Sequence, residues 1–445
     1  MDTPIADFVR SYAASGTARF HMPGHKGTGP LGCEALDITE IAGADSLYEA
    51  EGIIAQSEEN ARRLFGTGRT LYSTEGSSQC IRAMLQLILQ NRKPGMAPVI
   101  LAARNVHKAF IYAAALLDFQ PDWLWPEGDS SSLLGCPICA EGVARAMDAL
   151  PEPLAAVYIT SPDYLGNLAE IEAIAQAVHE RGSLLAVDNA HGAYLHFLES
   201  PLHPLDLGAD ICCDSAHKTL PVLTGGAYLH ISKKAPAAFA RNARQAMALF
   251  GSTSPSYLTM ASLDLCNAYL AGDCRKELAG TVEKIEELKA RLRSRGWKVE
   301  PSDPLRLSLR APGGCTGREL AGRLREKGIE CEHADRDYLV LMFTPANSRE
   351  ELERLERALG SAPAPCAAAE PLPLAKGEQV MSVRRAMLSP QETVPVREAL
   401  GRVCGAPAVA CPPAVPIAVS GERIGREAVE LFMHYGMESV DVVKE

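Results

Sequence analysis

Between about residue 70 and residue 235, short apolar runs rich in β-branched residues alternate with segments of helical periodicity. Five of these runs have the pattern of strands buried on both faces, and they are "PVILAARN" (98–105), "LAAVYIT" (154–160), "SLLAVDN" (183–189), "DICCD" (210–214) and "AYLHIS" (227–232). Apolar residues recur at helical spacing between them, for example at 81–88 and at 168–178 before Gly182. This alternation predicts an α/β fold with a mostly parallel sheet.

The rest of the chain predicts two smaller domains. After a large domain at 1–270, residues 271–362 combine a helix (282–295), two strands (305–310 and 338–344) and two helices that begin at capping boxes, which indicates a small α+β domain. The capping boxes are Thr316 with Glu319 and Ser348 with Glu351. Proline and alanine dominate 363–376, which predicts a linker, and 377–445 form a C-terminal domain.

Charge and composition exclude several classes of partner. The formal net charge is −11 and no run of basic residues interrupts it, so we expect no binding to nucleic acid and a better fit to a cationic small molecule. No apolar stretch approaches the roughly 18 residues of a membrane helix, and the first residues lack the pattern of an export signal. We therefore expect a cytoplasmic protein that does not bind membranes.

Cysteine and histidine spacing does not predict a metal site. The thirteen cysteines are scattered along a chain without an export signal, so we expect free thiols rather than disulfides. Cys136 and Cys139 form one C-x-x-C motif, but no second pair has matching spacing, and His191, His196 and His203 fit no zinc pattern.

Four polar groups lie where a parallel sheet collects its ligands, beyond the carboxyl ends of strands. They are Gly76–Ser78 before a helix, His107, Asp188 at a strand end, and Ser215–Lys218. Each has an ordinary alternative: serine is a common N-cap, a carboxylate can cap the next helix, a histidine there is often structural, and a lysine is usually solvated. In this chain order, however, an anion site, a ring, a carboxylate and a lysine suit pyridoxal 5′-phosphate (PLP).

The sequence strongly resembles the PLP-dependent ornithine/lysine/arginine decarboxylases, whose large domain has the aspartate-aminotransferase-like fold type I. The resemblance runs through nearly the whole chain. The motifs that carry it are "FHMPGHKG" (20–27), "DITE" (37–40), "RNVHKA" (104–109), "TSPDYLG" (160–166), "DNAHGAY" (188–194), "DSAHKTL" (214–220), "STSPSY" (252–257) and "PPAVPIAVSGE" (412–422).

The resemblance implies roles for individual residues. Lys218 would hold the cofactor covalently, Asp188 would keep its pyridine nitrogen protonated, and His107 would stack on the ring. The remaining cofactor contacts would come from Gly76, Ser77, Ser78, Ala190, His191, Ser215 and His217, and, across a dimer interface, from Ser252 and Thr253. His217 or the N-terminal "HMPGHK" segment would supply a proton. Finally, His25, Lys26 and Glu422 would contact the substrate, with Glu422 meeting its distal cation.

These roles imply decarboxylation of arginine, lysine or ornithine to an amine that serves as a polyamine precursor. The chain begins directly at the core segment, without the N-terminal wing domain of longer members, so we expect a homodimer with active sites at its interface. Asn189, where the family usually has Glu, Asp163, where it has Thr, and Glu75, where Asn is common, depart from the pattern, as do Cys411 and Ala414 in the tail. They leave the substrate open.

Two alternatives remain. One is another fold type I enzyme, such as an aminotransferase or a cysteine desulfurase, and the other is a non-catalytic PLP-binding regulatory paralogue.

Overall fold

A computed structural model describes residues 1–128, 132–150, 154–364, 373, 375–408 and 414–444. Most of the expected linker, and Cys411 in the tail, lie outside these residues. The chain divides into two compact units. The first unit comprises Met1–Met96, Ala155–Val157 and Val178–Glu277, and the second comprises Ala97–Leu154, Tyr158–Ala177 and Leu278–Glu445. The domain boundaries expected from sequence stay a prediction.

The central sheet has seven strands. In chain order they are β1 (Arg69–Ser73), β2 (Val99–Ala103), β3 (Gln120–Leu124), β4 (Ala156–Thr160), β5 (Leu185–Asp188), β6 (Ile211–Asp214) and β7 (Ala227–Ile231). Their spatial order is β1-β7-β6-β5-β4-β2-β3. The sheet is mostly parallel, and helices occupy the connections between most strands, so the α/β prediction is confirmed.

Strand direction explains which loops meet. β7 is antiparallel to both of its neighbours, with Ser73 opposite Ala227 on one side and Asp214 opposite Tyr228 on the other. β1 and β6 therefore run in the same direction and end at the same edge of the sheet. β5 is parallel to β6, with Asp188 opposite Cys213, and ends at that edge too. The residues that follow β1, β5 and β6 consequently share one edge of the sheet.

The five predicted strands are present, but β1 and β3 were not predicted. They are the two outermost strands of the sheet. β3 contains Pro121 and Asp122, which an edge strand tolerates because one side of it needs no ladder partner. β1 begins with Arg69, which reaches the Ala240 carbonyl, so its apolar run is short. Edge strands carry a weaker apolar pattern than central ones.

The helices alternate with these strands and continue through the second unit. They are α1 (Pro4–Ala14), α2 (Ile53–Leu64), α3 (Ser77–Gln90), α4 (Lys108–Leu117), α5 (Ala140–Ala149), α6 (Ile171–Glu180), α7 (Ala216–Thr219), α8 (Ala237–Leu249), α9 (Tyr257–Ala271), α10 (Cys274–Ser294), α11 (Gly317–Arg325), α12 (Arg349–Leu359), α13 (Val383–Leu388) and α14 (Arg426–His434). Both predicted capping boxes are confirmed, at the starts of α11 and α12. Short 3₁₀ helices span Leu47–Glu49, Ala193–Phe197 and Val396–Glu398.

Two small sheets complete the second unit. β8 (Arg306–Arg310), β9 (His333–Ala334) and β10 (Tyr338–Met342) form one of them in the order β8-β10-β9, with all pairs antiparallel. The other is the antiparallel pair β11 (Gln391–Pro395) and β12 (Ser439–Val443). Apolar residues of the tail, among them Phe432 and Val442, form a core with Leu133 and Cys136.

None of the helices in the described ranges has the length and apolarity needed to cross a bilayer. The C-x-x-C cysteines are free thiols. Burial raises the pKa of Cys136 to about 12, and the Cys139 thiol donates to Glu127 Oε2 at 2.9 Å.

Candidate active site

Lys218 lies in α7, the single helical turn that follows β6. Its Nζ is 2.8 Å from Nε2 of His191, which is buried in the turn that follows β5. Lys218 itself is half-buried. A half-buried lysine in contact with an imidazole can exchange a proton with that ring.

Asp188 is the last residue of β5 and is 1% exposed. Its Oδ1 accepts the Ala190 backbone N–H at 3.2 Å and lies 3.7 Å from Sγ of Cys213, the residue opposite it on β6. Burial of a carboxylate at a strand end favours a cationic partner, such as a protonated ring nitrogen.

The turn before α3 brings together groups that suit an anion. Gly76 has φ +70° and ψ −180°, a region that essentially only glycine occupies, and its N–H donates to the Gly225 carbonyl at 2.7 Å. Ser77 and Ser78 follow in the first turn of this 14-residue helix, where N–H groups lack intrahelical partners. Ser215 Oγ donates to Ser77 Oγ at 2.8 Å. Two hydroxyls and a helix N-terminus are therefore together at the edge.

His217 turns back toward the next loop. Its backbone nitrogen lies 3.1 Å and its ring Nδ1 lies 3.0 Å from the Gly226 carbonyl oxygen. Because a carbonyl oxygen can only accept, Nδ1 carries a proton. Burial, and secondarily the charge of Lys218, lower the pKa of His217. The ring is therefore favoured in its neutral form, with Nε2 unprotonated.

Of the other predicted residues of the first unit, Ser252 lies beside the turn before α3, whereas His25 and Lys26 contact groups of the N-terminal segment. Ser252 and Thr253 are exposed, and the Ser252 N–H donates to Glu75 Oε1. His25 Nε2 lies 3.1 Å from Asp37 Oδ2, and Lys26 Nζ donates to the His21 carbonyl at 2.6 Å.

Two predicted residues belong to the second unit. His107 is the N-cap of α4, and its Nδ1 accepts the Ala109 N–H at 3.1 Å, which fixes the ring. Glu422 is buried against Arg104, whose two Nη atoms lie 2.7 Å from the two carboxylate oxygens. The role of Glu422 toward a substrate cation stays a prediction, and it would require Arg104 to release an oxygen.

A buried polar cluster beside the site carried no role in the sequence-based prediction. Asp214 Oδ2 lies 3.0 Å from His203 Nε2 and 3.3 Å from His230 Nε2, and Asp214 Oδ1 accepts from Asn189 Nδ2 at 2.7 Å. The alternation of side chains along a strand could have indicated that Asp214 and His230 lie on one face of the sheet. Asp214 and Cys212 share one face of β6, and His230 is opposite Cys212 on β7. His203 has no such pattern.

The residues present fit PLP by the chemistry of their donors. Hydroxyls and N–H groups at a helix N-terminus suit a phosphate, a buried carboxylate suits a protonated ring nitrogen, and a half-buried lysine suits an aldehyde carbon. Solved structures agree on the fold. The constitutive lysine decarboxylase of E. coli superposes with a TM-score of 0.79 at 18% identity, covering 100% of this chain and 82% of that one. Lysine decarboxylase A of Pseudomonas aeruginosa gives 0.80 at 18% identity, covering 99% and 80%. The chain therefore has the fold of the PLP-dependent enzymes of fold type I.

Sequence comparison gives the family. The family described as Orn/Lys/Arg decarboxylase, major domain, matches residues 3–310. A Bacillus subtilis relative named Uncharacterized protein YaaO is 30% identical and covers 97% of this chain and 93% of its own length. A second B. subtilis relative, named Arginine decarboxylase, is 29% identical and covers 96% and 92%. The protein belongs to the Orn/Lys/Arg decarboxylase family, which with the fold implies PLP as its cofactor.

Proposed function

We propose that this protein decarboxylates a basic amino acid, with Lys218 as the residue that binds PLP covalently. The observation that carries the proposal is the contact of 2.8 Å between Lys218 Nζ and His191 Nε2, at the edge of the sheet that also carries Asp188 and the Ser77–Ser215 pair. Family membership supports the reaction class.

Arginine is the substrate that we propose first, with lysine and ornithine as alternatives. The relatives named Arginine decarboxylase from three Bacillus species align over 94–96% of this chain. Those named as lysine decarboxylases align over 66–73%. We propose the corresponding amine, a polyamine precursor, and carbon dioxide as products.

The chain's own residues would divide the work as follows. Bound PLP supplies an electron sink for the charge left at the substrate's α-carbon. Lys218 must be unprotonated to react, and His191 Nε2 is within reach to hold that proton. Asp188, buried at the strand end, holds a proton on the ring nitrogen by pairing with it. Gly76, Ser77, Ser78 and Ser215 anchor the phosphate, and His217 joins them only when its Nε2 is protonated, because its Nδ1 is bound to the Gly226 carbonyl.

A proton must also return to the substrate's α-carbon. His217 Nδ1 is committed to Gly226, so only its Nε2 could deliver one, and the lowered pKa means that Nε2 must first receive a proton. His25, in the N-terminal segment, is the alternative donor.

We further propose a cytoplasmic homodimer in which Ser252 and Thr253 reach the phosphate of the other subunit. Their exposure supports this arrangement, as does the exposure of large apolar side chains in the N-terminal segment, Phe20, Met22 and Leu31. Mixing a Lys218→Ala subunit with a Ser252→Ala/Thr253→Ala subunit tests it, because only a shared site would restore activity in the hybrid.

The test of the function is borohydride reduction of the purified protein followed by peptide mapping, with carbon dioxide release from arginine, lysine and ornithine measured in parallel. We expect the reduced cofactor on Lys218, none on the Lys218→Ala variant, and release from at least one of the three. An unmodified Lys218 in protein that retains cofactor would overturn the assignment.

The products separate the alternatives. A keto acid would identify an aminotransferase, and sulfide a desulfurase. A modified Lys218 without any product would indicate the regulatory paralogue.

A further inference from the structure

The cluster around Asp214 lies directly behind the cofactor-binding turn. Asp214, His203 and His230 are all 0–1% exposed. His203 Nδ1 accepts the Leu205 N–H at 3.3 Å, so its Nε2 carries the proton that points at Asp214. His230 Nδ1 lies 2.9 Å from Thr70 Oγ1, which leaves its Nε2 facing the same carboxylate oxygen at 3.3 Å.

The two histidines keep the Asp214 carboxyl ionised, although its burial favours the neutral form. Burial would raise the pKa of Asp214, but His203 and then His230 hold it well below its usual value. The Phe65 ring covers the two histidines, at centroid distances of 5.9 Å from His203 and 4.5 Å from His230. Because water is excluded, the ionised carboxylate must satisfy its oxygens with the protein donors around it.

The other oxygen of the Asp214 carboxylate, Oδ1, accepts a hydrogen bond from the turn between Asp188 and Gly192. Asn189 Nδ2 donates to Asp214 Oδ1 at 2.7 Å, and its backbone N–H donates to the Cys213 carbonyl at 3.0 Å. The Gly192 N–H returns to the Asn189 carbonyl at 2.8 Å, and a Cβ at Gly192 would collide with the Asn189 side chain. Asn189 is therefore held by its amide, its backbone and its neighbour.

We propose that Asp214 positions the cofactor site through Asn189: its carboxylate, held by His203 and His230, fixes the turn so that Asp188 and His191 have one arrangement before PLP binds. The roles of Asp188 and His191 toward PLP rest on the proposed function. Asp214, Asn189, His203 and His230 touch neither substrate nor PLP in this proposal, and they act as positioning residues.

An amide at position 189 suits the ionised state of Asp214. A carboxylate there would face the ionised Asp214 oxygen that now accepts from the amide, and like charges at that distance repel. Asn189 and Asp214 form a matched donor and acceptor.

Exchanging the two groups tests the match. Asn189→Asp sets two carboxylates against each other, and Asp214→Asn replaces the charged acceptor by a neutral amide. The double variant Asn189→Asp/Asp214→Asn again pairs one amide with one carboxylate, in exchanged places. We expect PLP affinity to fall about 10- to 100-fold in each single variant, the range for a lost hydrogen bond to a charged group. Most of this loss should be recovered in the double variant, which also controls for misfolding.

Asp210→Asn is the matched control. Asp210 immediately precedes β6, at the strand end opposite Asp214, and it also pairs with a histidine, with Oδ2 at 2.9 Å from His179 Nε2. The same substitution there should leave PLP affinity unchanged. Equal losses in Asp210→Asn and Asp214→Asn would contradict the proposal, because a general loss of packing would then suffice.

Hydrogen exchange in the cofactor-free protein gives a readout that does not depend on activity. We expect the amides of Asn189, Ala190 and Gly192 to be protected in the wild type and in the double variant, and to exchange faster in each single variant. Unchanged protection in the single variants would overturn the positioning role. Protection that follows this pattern in a protein without decarboxylase activity would refute the proposed function and leave this inference standing.

Discussion

Arg104 and Glu422 form a buried two-point ion pair at the end of β2. Both Nη atoms of Arg104 lie 2.7 Å from the oxygens of Glu422, and the side chains are 0% and 2% exposed. The guanidinium carbon is 4.6 Å from the ring centroids of both Trp123 and Trp125. Glu422 Oε2 also accepts the Val419 N–H at 2.8 Å. The pair thus fastens the C-terminal segment to the strand that leads to His107.

Glu422→Gln should lower stability and leave the KM for a basic amino acid nearly unchanged. Removing one partner of a buried ion pair costs about 3–5 kcal/mol because the other charge stays buried. Urea unfolding and steady-state kinetics measure the two effects. Glu353→Gln is the control, since Glu353 is about half exposed and pairs only with the exposed Arg349 and Arg357 among the described residues, so its loss should cost about 0–1 kcal/mol. A tenfold rise in KM without loss of stability would instead place Glu422 at the substrate.

Gly76→Ala should weaken PLP binding as well as the fold. The φ of +70° with ψ of −180° is open to glycine and strained by about 1–3 kcal/mol for other residues, so the turn before α3 would shift. Gly66→Ala is the matched control, because Gly66 also has a positive φ, +64°, with open space around its Cβ position. Both should lower the melting temperature, and only Gly76→Ala should raise the dissociation constant of PLP.

Asp188→Ala should reduce kcat by several orders of magnitude with only a modest loss of PLP. The reason is that Asp188, which is buried, would no longer hold the ring nitrogen protonated, while the phosphate contacts and Lys218 remain. Turnover of arginine and the absorbance of bound PLP measure the two quantities. Full turnover in this variant would mean that another group protonates the ring.

Asp163 should make stability depend on pH in the mildly acidic range. Burial raises the pKa of this carboxyl from 3.8 to about 6, against the opposing bonds from Asn167. The folded chain therefore binds the proton more strongly than the unfolded chain. Stability from this group is present below about pH 4 and is lost as pH rises to about 6, by about 3 kcal/mol.

The Asp163→Asn variant lacks the titrating group. Unfolding measured at intervals between about pH 4 and 7 should show wild-type stability falling relative to the variant. Parallel pH dependence in the two proteins would show that Asp163 does not titrate in this range.

Local pattern predicted the central strands and both capping boxes, and the strand directions bring the residues after β1, β5 and β6 to one edge of the sheet. Apolar runs mark β4, β5 and β6 because they are buried on both faces, and Thr316 with Glu319 suffices to start α11. Edge strands such as β3 were not predicted, because polar and apolar residues are mixed in their sequences.

Side-chain pairs between residues that are distant in the sequence were not predicted either. Asn189 bonds to Asp214 across 25 positions, and Arg104 to Glu422 across 318. Such pairs depend on how the strands are ordered and how the tail returns, which no local spacing encodes. The sequence showed that Asn189 departs from the family pattern, but it did not show that Asp214 is the partner of Asn189.

Side chains alternate between the two faces of β6, so consecutive residues of this strand have different surroundings. Cys213 lies toward the Asp188 carboxylate, and Asp214 is engaged by the histidines. Gain or loss of a single residue in this strand would interchange those surroundings and carry Lys218 away with them. Evolution can therefore vary the identity of side chains in this segment far more freely than its length.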